Sequence, residues 1–404
     1  MERVRNILFA VITAAICTLA LLNIVAASIP NVHEAVTRSY LEGRGYQQAP
    51  KITRASLSSG VFQSEFEQYI ADSIPCRNAA LLANAQAQRM IIEIANVPFG
   101  YSAYPTFFDS NYIYCPSWHS IVESPDSQRA LTAERLQASA EALSRFIHAN
   151  QNVNWRMALV DRNRNSLASP AHSLLAKPAD YDFVRSKFLE QLPDECTCID
   201  LSIADTGQYY GKYYKTDHHW QIEGAFDAYQ TIMESLDKQP IASYSFFTAF
   251  DGPFYGSEAR LGLITCESDF VHDVRYTKSE LEIKANGKKK EADYLGGNGE
   301  AGSLFKKADT FENVYSSYFH GDAGVIAITN EKAPDDSTLA IIGDSFTNNI
   351  ERLFAESYQH VYVIDPRHCK SSLQSYLDKY QIDDAVFIMG SNTATSSELH
   401  DKLS

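Results

Sequence analysis

Positive charge is scarce in this chain. Its 404 residues hold 35 Lys and Arg against 50 Asp and Glu, a formal net charge of -15. Phosphate affinity needs cations in excess, so the balance argues against a nucleic-acid partner and disfavours a polyanionic polymer. There is no C-x-x-C pair. Cys196 and Cys198 are spaced C-x-C, which fits neither a zinc ribbon nor a thioredoxin-like site. Cys17 lies in an apolar run. The other six (Cys76, Cys115, Cys196, Cys198, Cys266 and Cys369) allow up to three disulfides in an oxidising compartment, or serve as small buried hydrophobes. No internal repeat is visible. What is present is ordinary globular material, 45% hydrophobic and 21% charged, too apolar for disorder and ample for a large core.

Residues 7–27 form an uncharged apolar run preceded by Arg3 and Arg5. Its length matches a bilayer-spanning helix with the N-terminus in the cytoplasm. This favours a membrane anchor over residues 1–27, with a cleaved signal peptide ending at Val25-Ala26-Ala27 as the alternative. Either places the remainder outside the cytoplasm. Residues 28–60 are polar, with Pro30, Gly43, Gly45 and Pro50, and read as a tether; residues 61–404 read as one large domain. Helices are expected over 62–96 with a break at Pro75, over 132–150, 181–191 and 222–236, and strands over 153–160 and 197–201. Residues 240–310, rich in Gly and aromatics, read as an irregular β-rich insertion with a hairpin turn at Asn286-Gly287. From 337 onward strands (338–342, 361–364, 385–389) alternate with helices (347–357, 371–380). That alternation predicts an α/β sandwich of three layers, with a parallel sheet covered on both faces.

Two segments carry chemistry. In Leu339-Ala340-Ile341-Ile342-Gly343-Asp344-Ser345 a buried strand runs into a turn bearing a serine. Ligands of open parallel sheets bind at such carboxyl ends. A helix behind Ser345 would supply N–H groups for an oxyanion; a plain N-cap serine is the alternative. The second is Tyr213-Tyr214-Lys215-Thr216-Asp217-His218-His219-Trp220. A serine nucleophile needs a base, and the base an orienting acid. In an extended segment Asp217 and His219 project to one side, which selects His219 as base and leaves His218 in support. The same three residues could instead be metal ligands, but no further ligands stand at recognisable spacing, so neither a metal nor another cofactor is expected.

At these residues a family is visible. YYKTDHHWQIEGAFDAY (213–229) closely resembles the hallmark segment of bacterial DHHW proteins, which are related to the SGNH-hydrolase-like alginate O-acetyltransferase proteins. FQSEFEQYIADSIPCR, Phe254-Tyr255-Gly256-Ser257, IIGDSFTNNI and VYVIDPRH resemble further family segments, so the likeness covers most of the chain beyond residue 61. One departure is Gly343, where relatives often carry Lys. The resemblance implies an SGNH-hydrolase-like fold in which Ser345 is the nucleophile, His219 the base and Asp217 its orienter. Candidate oxyanion or substrate residues are Asn348 and Asn392 at the same sheet end, Arg367 after the next strand (or paired with Asp365), Tyr214 as a wall residue and Arg164 in the loop after residue 160. The activity implied is extracytoplasmic O-acyl, acetyl above all, transfer or ester hydrolysis on a cell-surface glycan, with an integral-membrane acyl-donor protein as partner. The alternative is a non-catalytic glycan-binding or envelope-assembly protein on the same fold.

Overall fold

A computed structural model describes residues 38–39, 41–74, 76–96, 104–105, 112–123, 133–162, 166, 168–169, 186, 188–250, 252–264, 268–296 and 311–403, with scattered positions between 7 and 25. The expected membrane helix thus lies largely outside the described residues; among those described, no helix is long and apolar enough to cross a membrane. The chain divides into two compact units, residues 1–100 with 309–312, and the rest.

In the first unit the helices Val61–Asp72 and Arg77–Asn96 are separated where Pro75 predicted a break. The described part of the segment read as a tether holds a short ribbon and the helix Arg54–Ser58, which is closed by a Thr53/Ser56 capping box. Asp72 is buried and needs donors. Arg44 supplies a two-pronged guanidinium contact at 2.7 and 2.8 Å, and Gln47 N–H a third bond at 2.8 Å.

The second unit carries, in chain order, β1 (Tyr112–Cys115), β2 (Ser120–Glu123), α1 (Ala133–Ala149), β3 (Asn154–Val160), β4 (Cys196–Cys198), α2 (Thr206–Lys212) and α3 (Ile222–Ser235). There follow β5 (Tyr244–Thr248), α4 (Ser257–Gly262), β6 (His272–Tyr276), β7 (Glu282–Ala285), β8 (Lys288–Lys290) and α5 (Val314–Tyr318). Further along come β9 (Val325–Thr329), β10 (Asp335–Gly343), α6 (Glu351–Phe354), β11 (Tyr358–Ile364), α7 (Leu373–Tyr380), β12 (Asp384–Gly390) and α8 (Ser391–Ala394).

Eight strands make one mixed sheet in the order β8-β7-β9-β11-β10-β12-β3-β4. From β11 to β4 all pairings are parallel; from β11 to β8 all are antiparallel. The parallel strands alternate between two cores. Leu339, Ile341, Val386, Ile388, Ala158 and Val160 face α3 and α6; Ala340, Ile342, Ala385, Phe387, Trp155, Met157 and Leu159 face α1 and α7. Helix α3 meets its core through Ile222, Ala225, Phe226, Tyr229, Ile232 and Met233, the i, i+3, i+4 stripe of an amphipathic helix. Each fully buried Val, Ile or Phe adds about 1.5–3 kcal/mol before entropy is counted, so this two-faced burial is what fixes the strand ends.

The stretch read as one β-rich insertion is two things. β5 and β6 form a separate two-stranded ribbon, whereas β7 and β8 extend the main sheet. The reason is the alternation in β7: Ile283 and Ala285 are buried and pair with Ile328 and Ile326 of β9. Asn286 and Gly287 take φ of 50° and 78° at the turn, as a two-residue hairpin requires. The three lysines of β8 occupy the sheet edge, where charge discourages further pairing. Among the described residues the cysteines are unpaired; Cys115, Cys196 and Cys369 are buried, and Cys266 lies outside the described residues.

Candidate active site

Helices α2 and α3 are joined by a tight loop. Tyr213 and Trp220 bridge its neck in antiparallel fashion, and Gln221 N–H donates to Lys212 O at 2.7 Å. The i, i+2 spacing predicts a meeting of Asp217 and His219 on an extended segment, but the segment is bent. They meet because Asp217 folds back over the bend. Its Oδ1 accepts from His219 N–H at 3.0 Å and from His219 Nδ1 at 2.6 Å, while Oδ2 accepts from Ser257 N–H, at the start of α4, at 2.7 Å. So close an approach of α4 needs Gly256: a Cβ there would lie 2.2 Å from Asp217 Cβ and 2.4 Å from Thr216 O. Burial pushes the Asp217 carboxyl up, but the His218 and His219 imidazoles and the hydrogen bonds outweigh it and hold it well below the carboxylate range. An ionised Asp217 keeps the proton of His219 on Nδ1 and leaves the Nε2 lone pair to accept.

The carboxyl ends of three parallel strands finish together, with Gly343 of β10 beside Ile388 of β12 and Gly390 beside Val160 of β3. Asp344, not Ser345, caps the single 3-10 turn Ser345–Thr347. Its Oδ1 accepts from Phe346 N–H at 3.1 Å, and its Oδ2 from Gly390 N–H at 3.0 Å and Thr393 Oγ1 at 2.6 Å. This carboxylate bolts the serine turn to the neighbouring strand end. Gly343 has no room for a side chain, since a Cβ would meet Ile388 O at 2.3 Å.

The helix expected over 347–357 shrinks to this turn and the four residues of α6. Its first carbonyls are taken: Trp220 Nε1–H donates to Phe346 O at 3.0 Å, and Tyr315 OH to Ser345 O at 3.3 Å. Ile350 N–H therefore bonds three residues back, to Thr347 O at 3.0 Å. No long helix dipole stands behind Ser345. Among the described residues its N–H has no hydrogen-bond partner.

The two loops meet where Ser345 Oγ lies 2.8 Å from His219 Nε2. Trp220 sets the spacing between them, its indole N–H shared by Phe346 O and, at 3.2 Å, Asn349 Oδ1. With Nδ1–H on Asp217, His219 can take the serine proton.

The remaining candidates divide. Asn348 is buried just past the serine turn, with no side-chain hydrogen bond among the described residues. Asn392 sits in α8, directly after the strand end that bonds Asp344. Tyr214 is 1% exposed, packed edge-on to Phe254 and Tyr315; it is core, not a wall for a sugar. Arg367 forks onto Asp365 at 3.0 and 2.7 Å and reaches Asp322 at 3.2 Å, so its guanidinium is committed to these carboxylates rather than to a substrate. Arg164 lies outside the described residues. Its neighbour Arg162 lays its stem against Gly390 and donates to Glu123 Oε1 at 3.1 Å.

Two residues of the site carry no sequence signal. Tyr315 stacks on the His219 ring at 4.3 Å and 14° while its hydroxyl bonds the Ser345 carbonyl. Asp269 accepts from Lys215 N–H, Thr216 N–H and Thr216 Oγ1 at 3.0, 2.8 and 2.6 Å and so pins the approach to Asp217. Burial pushes its carboxyl up to about 6 against these donors, with the Asp217 charge adding to the rise. A folded pKa above the unfolded one gives stability that is full below about pH 4 and lost as pH rises through about 6. Two units amount to about 3 kcal/mol. Urea titrations should show the stability of wild type relative to Asp269→Asn falling by about that much between pH 4 and 6; a flat difference would rule the carboxylate out as the source.

Asp217, His218 and His219 also offer donor atoms within 4.8 Å of one another. Asp217 Oδ1 and His219 Nδ1 are engaged with each other, however, and His218 Nδ1 faces Ser257 Oγ at 2.9 Å. In the set Asp322, Asp365 and His368 both carboxylates already pair with the Arg367 guanidinium.

The profile of DHHW proteins matches residues 108–364. Among solved structures, a DHHW family protein from Eubacterium siraeum superposes with a TM-score of 0.56 at 15% identity, over 75% of this chain and 98% of that one. Bacillus cereus PatB1 gives 0.56 at 21% identity, over 74% and 99%. PatB1 carrying a sulfonyl adduct gives 0.56 at 20%, over 72% and 97%. No curated protein matches the chain.

Proposed function

The chain belongs to the DHHW family, and we propose that it is an extracytoplasmic, SGNH-type serine O-acyltransferase or esterase that moves acetyl groups on a cell-surface polysaccharide. The observation that carries this reading is the Ser345 hydroxyl 2.8 Å from the Nε2 of an imidazole whose Nδ1–H is held by an ionised Asp217. Ser345 Oγ attacks the acyl carbonyl as its proton passes to His219 Nε2. The tetrahedral oxyanion finds the Ser345 N–H, with Asn348 and Asn392 as side-chain donors from the same rim. Collapse expels the donor alcohol, which takes the proton back from His219 and leaves an acyl-serine. A sugar hydroxyl or water then gives its proton to His219, attacks the ester and frees Ser345. Asp217 stays ionised throughout and stabilises the imidazolium. The apolar run at 7–27 supports a membrane-anchored enzyme facing outward, and the acyl donor is an integral-membrane protein.

A sulfonyl fluoride tests the nucleophile directly, because an activated serine hydroxyl displaces fluoride far faster than an ordinary one. Mass spectrometry should find the adduct on the peptide containing Ser345, and its formation should be lost in His219→Ala. A chain that stays unlabelled and inert toward acetyl esters would leave the non-catalytic glycan-binding alternative standing.

Tyr315 separates ring placement from carbonyl placement. Tyr315→Phe keeps the stack on His219 and should hold kcat within about threefold. Tyr315→Leu frees the ring, and misplacement of a catalytic group by an ångström costs about 100-fold. Its KM should stay within a factor of about two, a split that steady-state kinetics reads directly.

A further inference from the structure

Trp118 closes a single 3-10 turn, Pro116–Trp118, between β1 and β2. It is 38% exposed, while the other two tryptophans, Trp155 and Trp220, are 0% and 3% exposed. An isolated exposed aromatic needs no explanation. What sets Trp118 apart is its bracing. Tyr210 stacks against the indole at 5.3 Å and 29°. The Tyr210 hydroxyl is tied to Ser120 Oγ. Tyr209 packs edge-on to Tyr210 at 5.1 Å, and Tyr213 stacks on Tyr209 at 4.6 Å and 3°. Tyr213 is one half of the bridge that closes the loop holding Asp217 and His219. The hairpin is bonded to that loop a second time, through Ile121 N–H to Lys215 O at 2.8 Å. A row of four rings thus runs from the surface to the neck of the catalytic loop.

An aromatic ring backed by Tyr210 and partly exposed to solvent suits a flat apolar ligand whose edge is polar. A pyranose ring has that form: its axial C–H groups give an apolar face, and its hydroxyls stay in water. The global acidity of the chain disfavours a polyanionic sugar. We infer that Trp118 is the stacking platform of a carbohydrate subsite, which takes an uncharged pyranose residue of the polysaccharide while another residue of the same chain reaches Ser345. The choice of glycan as ligand rests on the transferase or esterase reading given above.

The test keeps binding apart from chemistry. Cellohexaose, chitohexaose in its N-acetylated form and xylohexaose are titrated into the full Ser345→Ala chain, with tryptophan fluorescence as the readout. Trp118 is the open indole, so a bound sugar should change emission and shield it from acrylamide. Adding Trp118→Ala should weaken binding, followed by calorimetry, by about tenfold, the scale of one aromatic stack; Trp118→Phe should restore most of it. In the chain with Ser345 intact, Trp118→Ala should leave turnover of 4-nitrophenyl acetate within about twofold, since this small ester does not span the subsite. Equal affinity in the tryptophan and alanine chains, or no binding of any of the three sugars, overturns the subsite. A parallel loss of small-ester turnover overturns it too, because Trp118 would then be bracing the catalytic loop. Failure of the enzymatic reading looks different: wild type and Ser345→Ala would be equally inert toward the ester, and the binding result would be unaffected.

Discussion

Ser345→Ala and His219→Ala are each expected to lower kcat for acetyl-ester cleavage by about a million-fold, and the double variant to be no worse than either single one. The near-equality follows from how the proton is shared. Without His219, the serine hydroxyl must ionise at its free pKa, far above neutrality; without Ser345, the base has no proton to take. Neither residue does half of the work alone. Asp217→Asn should cost less, about 10,000-fold. An amide can still touch the ring, but its NH2 can donate to Nδ1, which turns the imidazole proton toward Ser345. That puts a donor where an acceptor is needed. Two features make the loss severe here: Asp217 Oδ1 serves both His219 N–H and Nδ1, and Oδ2 holds Ser257 N–H. The residual activity of Ser345→Ala and of His219→Ala should each match that of the double variant, because what survives there comes from binding and the oxyanion donors, whereas Asp217→Asn stays above it. The measurement is single-turnover acetate release by the wild type and the four variants side by side. Losses that multiply in the double variant would mean the two side chains act independently, and the proton relay would be abandoned.

The central strands β10, β12 and β3 were legible because each is buried on both faces over most of its length, so its apolar run survives in the sequence without any partner being known. Asp217, His219 and Ser345 were legible for a related reason: their chemistry is concentrated in two short segments. The route by which Asp217 meets His219 was not. An i, i+2 pair can meet across an extended strand or across a bend, and Ser257, 40 positions on, decides for the bend by binding the outer carboxylate oxygen. The helix after Ser345 failed for a similar cause. Local propensity cannot register that Trp220 and Tyr315 occupy the carbonyls its first turn would use. Tyr214 and Arg367 have the right residue types for substrate contact, yet their environments differ from that expectation. One is sealed among rings; the other is neutralised by Asp365 and Asp322. Asp344 was in plain view beside the serine. Its role depends on Gly390 and Thr393, which only the sheet brings alongside.

The largest single loss of stability should come from Asp273→Ala, by about 3–5 kcal/mol. Asp273 is fully buried in β6, and its ion-pair partner Arg352, in α6, is 3% exposed. The aspartate also accepts from Val274 N–H at 2.7 Å and from Tyr318 OH in α5 at 2.8 Å. The guanidinium donates onward to Leu295 O at 3.2 Å and Asn349 O at 3.0 Å. One charge pair therefore gathers β6, α5 and the segment just after the serine turn. Burial lowers the Arg352 pKa and the Asp273 charge more than restores it; with Asp273 gone burial acts almost alone, yet a guanidinium is basic enough to stay protonated. Alanine at 273 strands a cation in the core with its best acceptor gone, and desolvating an unpaired charge is the dominant cost. The double variant Asp273→Leu with Arg352→Met removes both charges and restores apolar volume, so it should recover more than half of the loss. Urea unfolding of the three proteins decides the point. Equal destabilisation of the single and double variants would show that packing and the Tyr318 and Asn349 hydrogen bonds carry the stability, with the buried charge contributing little. Because Asn349 also receives the Trp220 indole, the recovered double variant should still lose some of the proposed esterase kcat: its core is repaired, but the anchor between the Asp217–His219 loop and the serine turn is looser.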